Sequence, residues 1–100
     1  MGDVFAAHSE VLDERGLSNV RLNACGYSVG CTFAPNWMDW PMFHAGNTTK
    51  IETGMVFFLH MILFDEEAGL AASLGRTSVV REVGSESLSS AGLELVVKST

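Results

Sequence analysis

No stretch of the 100-residue chain reaches the length of an apolar membrane span, which needs about 20 consecutive apolar residues. The longest apolar run, Met55 to Phe64, is interrupted by His60. Basic residues are scarce, 6 against 12 acidic ones, for a net charge of -6. A surface of that sign repels phosphate backbones and anionic headgroups, which excludes nonspecific nucleic-acid or membrane binding. Cysteine is limited to Cys25 and Cys31, too few for a disulfide framework and with a spacing unlike zinc ligands, so two free, partly buried thiols are expected. The first 15 residues carry Asp3, Glu10, Asp13 and Glu14 where a secretory signal would be apolar, which points to a cytoplasmic protein. With 47% hydrophobic residues, the chain has enough apolar material for one domain over residues 1–100 with a real core.

The stretch from Gly54 to Gly84 organises the rest. Its first arm, Met55 to Phe64, is dominated by β-branched, aromatic and other apolar residues. Asp65-Glu66-Glu67 breaks it, and a second arm returns from Ala71 to Glu82. Two such arms divided by turn residues predict an antiparallel pair of long strands. Ahead of it, residues 3–15 place Val4, Ala7, Val11 and Leu12 near helical spacing, with Asp3 positioned to cap the start and Gly16 to end the helix. Gly26 and Gly30 bracket Tyr27-Ser28-Val29, a spacing that suits a bulged strand or close backbone approach and matches no phosphate-binding loop. Residues 34–46, APNWMDWPMFHAG, hold both prolines and both tryptophans without a period. They are expected to form a loop that packs on the sheet, lines a pocket or makes a subunit contact. After a polar turn through Ser85, Ser87 and Ser89, the run Leu93 to Val97 is expected as a short strand or a tail docked on an edge.

The order of these pieces is informative. Gly26-Tyr27-Ser28-Val29-Gly30, a Pro35-Asn36-Trp37 loop, a Gly54-Met55 turn into a long strand, and Thr77-x-Val79-Val80-x-Glu82-x-Gly84 followed by Glu86 and Leu88-Ser89 resemble the C-terminal part of the creatinase, prolidase and aminopeptidase P family. The ectoine hydrolase-like and Xaa-Pro peptidase-like branch is the nearest. The resemblance implies an α+β fold, a curved antiparallel sheet with one N-terminal helix, about half of a pita-bread domain. It also implies descent from hydrolases that cleave the C–N bond of small amides or Xaa-Pro substrates.

Metal-dependent relatives hold two divalent ions with two aspartates from the first half of the domain and a histidine and two glutamates from the second. The resemblance sets these second-half positions at Tyr27, at His60 and just before Thr77, at Gly75 or Arg76. None is a matching ligand, so neither metal nor cofactor is expected, and creatinase itself works without metal. Two adjacent cations need several convergent carboxylates to offset their charge.

Four residues remain as candidates for chemistry. His60 is a mid-strand general base or a satisfied core histidine. Asp39 and His44 share the aromatic loop, as an acid–base pair or as solvated polars. Tyr27 offers a hydroxyl to a substrate carbonyl or packs its ring. Trp37 and Trp40 would wall a pocket for a small ring-shaped or proline-like ligand, or form a hydrophobic contact. The expectation is a fragment or truncated relative of such a hydrolase, inactive in isolation; the alternative is a non-catalytic binding or assembly module retaining the fold. Half a domain leaves a sheet face and an edge uncovered, which favours a homo-oligomer.

Overall fold

The structure is a computed structural model that describes residues 1–36 and 38–99. One helix, α1 (Gly2–Glu14), precedes five strands: β1 (Ala24–Ser28), β2 (Met42–His44), β3 (Val56–Asp65), β4 (Leu70–Val80) and β5 (Ser85–Ser87). They form one sheet in the order β2-β1-β3-β4-β5 with every neighbouring pair antiparallel. This is the expected α+β architecture of one helix and an open antiparallel sheet.

The β3–β4 hairpin is the backbone of the sheet. Its register runs from Val56 opposite Val79 to Asp65 opposite Leu70. The connecting turn closes because the Asp65 carboxylate accepts the Ala68 amide at 2.9 Å and Gly69 takes φ +65, a left-handed conformation that glycine adopts without a Cβ penalty. The arms therefore run almost as the sequence predicts.

Helix α1 ends as expected. Gly16 sits at φ +74, its amide donates to the Asp13 carbonyl, and the Leu17 amide donates to the Leu12 carbonyl, the paired bonds of a left-handed C-terminal cap. The start differs. Met1 is the N-cap and no side chain caps the helix, so Asp3 lies within the first turn, where its charge favours the positive end of the helix dipole. The buried face also differs. Phe5 is buried with Val4 packed beside it, while Val11 is 53% exposed. Val11 instead borders an apolar groove of about 710 Å³ between the helix and β3–β4, with Leu59, Met61 and Leu63 on its floor. Leu93 to Val96 lie along this groove without forming a strand.

The core sits between α1 and the sheet: Met1, Phe5, Cys25, Phe43 and Phe57, with Leu59, Ile51 and Val80 at its margin. Phe43 and Phe57 meet with ring centroids 4.7 Å apart. Burial pushes the Cys25 thiol up to about 11, so it acts as a small apolar filler, whereas Cys31 is exposed; both are free. Arg21 caps one side of the core, stacked 5.8 Å above the Phe5 ring and held by the Asp13 carboxylate at 2.7 and 3.2 Å. Next to it His8 is held below its ordinary pKa by burial first and by the Arg21 charge second, so the fold accepts the neutral ring. No helix among the described residues is long and apolar enough to cross a membrane.

Candidate functional site

Strand alternation divides β3 between two environments. Phe57 and Leu59 face α1 and belong to the core or its margin. Phe58, His60 and Ile62 therefore face the opposite, open side of the sheet. Tyr27 is the cross-strand partner of Phe58, and cross-strand partners share a face. The Tyr27 ring meets Phe58 edge-on at 5.5 Å and His60 edge-on at 6.4 Å. Phe58 and His60 lie 4.9 Å apart. Three rings thus form a patch on the open face.

Glycines make the patch possible. Gly75 stands directly across from His60, and a Cβ there would lie 2.5 Å from the Phe58 ring. Its absence lets Phe58 lie flat over β4. With the Phe58 ring over its direct partner Gly75, His60 places Nε2 3.0 Å from the hydroxyl of Ser73, its diagonal neighbour on β4. On the β1 side, Gly26 brings the backbones of β1 and β3 together, since a Cβ there would lie 2.5 Å from the Phe58 carbonyl oxygen. The β1–β2 register shifts between Ala24 and Tyr27, the irregularity that the glycine spacing suggested.

Beside this patch is an open depression of about 430 Å³, bordered by Tyr27, His60, Ile62, Leu22, Met38 and Met42. It is apolar in its walls and carries an imidazole and a phenol. Of the four sequence candidates, the structure brings Tyr27 and His60 together here. Asp39 and His44 are not part of it and do not meet. The Asp39 carboxylate accepts its neighbour's amide, from Trp40, at 3.0 Å and lies against Gly30. His44 ends β2, bonds the Ala45 carbonyl through Nδ1 at 2.9 Å, and has the Trp40 ring at 6.0 Å. Trp40 itself is 70% exposed, and Trp37 lies outside the described residues. Two neighbours of the site carried no sequence signal of their own: Ser73, which the hairpin register alone brings to His60, and Met38, which the aromatic loop delivers.

The three second-half ligand positions implied by the resemblance converge in space. Tyr27 and His60 are in contact, and of the two residues before Thr77 only Gly75 shares their face. Arg76 pairs with Leu59 on the helix side and its guanidinium donates to the Ala91 carbonyl at 3.3 Å, so its charge does not crowd the site. The donor set left on the open face is an imidazole, a phenol and a hydroxyl. It does not fit a pair of divalent cations, which require bridging carboxylates, and among the described residues no three His, Cys, Asp or Glu side chains form such a group.

Comparison with known proteins places this geometry. The crystal structure of dipeptidase PepE from Mycobacterium ulcerans superposes with a TM-score of 0.81 at 26% identity, over 94% of this chain and 24% of that one. The chain therefore spans about a quarter of the dipeptidase it matches. No curated protein matches it. The model of metallopeptidase family M24 matches residues 1–82, from the helix through the β3–β4 hairpin that carries His60 and Gly75, and the chain belongs to that family.

Proposed function

We propose that this chain forms one wall of the substrate cleft of an M24 hydrolase acting on the C–N bond of a small amide or Xaa-Pro compound. The observation that carries the proposal is the convergence of Tyr27, His60 and Gly75 on one open face, at the positions where metal-dependent relatives gather ligands. On this wall His60 is the proton carrier and Tyr27 the hydroxyl that holds a substrate carbonyl. Asp39 and His44 stand outside the depression, in the segment whose Met38 and Met42 border it. The Gly-Tyr-Ser-Val-Gly segment and the aromatic loop favour the ectoine hydrolase-like and Xaa-Pro peptidase-like branch. The protein is cytoplasmic on this reading, and a second copy of the chain completes the wall.

A wall without its opposite side binds substrate weakly and does not turn it over, because it neither excludes water nor fixes both ends of the reacting bond. The test is titration of ¹⁵N-labelled chain with an Xaa-Pro dipeptide, with hydrolysis followed in the same sample. Shifts at Gly26, Tyr27, His60 and Ile62 without turnover by the monomer are expected. Saturating dipeptide that leaves these four signals unmoved refutes the cleft-wall proposal.

That outcome would favour the second function, a non-catalytic assembly module. A specific observation supports it: large apolar side chains, including Leu74, Leu93 and Val96, are exposed along the groove on the helix side, a surface of the kind that self-association covers.

A further inference from the structure

The contact between His60 and Ser73 has the form of a nucleophile with its base. We propose that Ser73 is a nucleophilic serine activated by His60, giving the open face an acyl-transfer chemistry that requires no metal ion. The proposal goes beyond the cleft-wall assignment and shares with it the location and the role of His60 as proton carrier.

Three features of the geometry carry it. First, Ser73 Oγ and His60 Nε2 are 3.0 Å apart, within the reach that proton transfer from a hydroxyl to an imidazole requires. In the Nδ1-protonated tautomer the serine hydroxyl donates to Nε2. Second, the imidazole is held. Phe58 packs against it at 4.9 Å and Tyr27 at 6.4 Å, so aromatic contacts fix the ring where a carboxylate does so in other nucleophile–base pairs. Third, Ser73 is exposed on β4 and His60 borders the 430 Å³ depression, so an acyl group can approach the hydroxyl while its side chain rests on Tyr27 and Ile62. The surroundings also explain why the two residues meet. Gly75, directly opposite His60, offers no side chain, and the Phe58 ring fills the space over it; of the diagonal neighbours, it is Ser73 that the imidazole meets.

The chemistry balances with water as the one further reactant. Ser73 Oγ bonds to the acyl carbon as its proton passes to His60 Nε2. The acyl–leaving-group bond breaks, and the leaving group departs with that proton. Water, deprotonated by the same nitrogen, then attacks the acyl-serine; the acid is released and the proton returns to Ser73. The suitable ligand class is an activated ester or amide with a small apolar acyl group.

The experiment is labelling of the full 100-residue chain with a fluorophosphonate, which phosphonylates serine with loss of fluoride and so reports nucleophilicity without needing turnover. Peptide mass mapping should place one adduct on Ser73. The adduct should vanish in Ser73→Ala and form at least about a hundredfold more slowly in His60→Gln, the lower end of what a positioned base supplies. Both variants should keep the wild-type circular dichroism, since neither side chain is in the core. Labelling of Ser73 no faster than exposed Ser85 or Ser87 overturns the proposal, as does an adduct that forms equally fast in folded His60→Gln. Failure of dipeptide binding with Ser73 still labelled would count against the cleft-wall function alone, and the reverse result against the nucleophile alone.

Discussion

Phe57→Ala is expected to lower the free energy of unfolding by about 3–5 kcal/mol, the range for truncating a buried aromatic side chain. Phe57 is 4% exposed and packs its ring on Phe43 at the centre of the small cluster under α1. It is also the β3 residue in the buried cluster under the helix, so the cavity would open where Phe5, Cys25 and Phe43 cluster. A domain of this size is stable by only about 5–15 kcal/mol, and so few residues are fully buried here that little can repack into the space. Urea unfolding followed by circular dichroism measures the loss. A change below about 1 kcal/mol would mean that this cluster is not the core.

Gly26→Ala is expected to destabilise the chain by about 1–3 kcal/mol or more, the cost of forcing added volume into a packed site. The new methyl would lie 2.5 Å from the Phe58 carbonyl oxygen and 3.1 Å from the Leu59 Cα. Those are backbone atoms of the neighbouring strand, and relief requires β1 and β3 to separate along the Gly26–Leu59 pairing. Gly75→Ala offers the informative contrast. Its methyl meets only the end of the Phe58 ring, a side chain that can rotate away, so its cost should be smaller while the contact between Phe58 and His60 is disturbed. The same denaturation experiment ranks the two. Equal or inverted costs would contradict the close approach of strands at Gly26.

The parts of the fold that were legible in the sequence are those fixed by local signals. Gly16 ends α1 because a left-handed residue must follow its last turn, and the acidic break after Phe64 divides two long arms because charge and turn residues cannot continue a buried strand. The start of α1 departs from the local signal: Asp3 is a good cap by type, yet the turn at residues 46–49 binds the helix end, with the Gly2 amide donating to the Asn47 carbonyl at 2.8 Å, a contact with no local trace. Strand β2 was hidden in the aromatic loop because three residues are too few to show alternation. Of the two forms expected for the run Leu93 to Val97, a short strand or a docked tail, the strand is absent, since apolar content alone does not supply a partner with free hydrogen-bonding groups, while Leu93 to Val96 lie along the apolar groove.

The site was legible in part for the same reason. Tyr27 and His60 were singled out by type and motif, and the sheet unites them. Asp39 and His44 are a candidate pair in the sequence because they share the aromatic loop, but β2 starts between them and carries His44 along the strand while the Asp39 carboxylate accepts the Trp40 amide. Ser73 could have been found from the turn at Glu66 to Gly69: once Asp65 is set opposite Leu70, Ile62 falls opposite Ser73 and His60 becomes its diagonal neighbour. Side chains so placed in a sheet are within reach of one another.

The central claim is that the Tyr27 and His60 side chains share one open face of the sheet, on the side away from α1. A proton–proton NOE spectrum of the labelled chain tests it most directly. Cross-peaks are predicted between the Tyr27 ring and the His60 imidazole and between the Phe58 and His60 rings, with none from His60 to Phe5 or Phe43. A His60 imidazole that instead shows cross-peaks to the Phe5 or Phe43 ring would place it in the core beneath the helix, and would contradict both the site and the chemistry assigned to it.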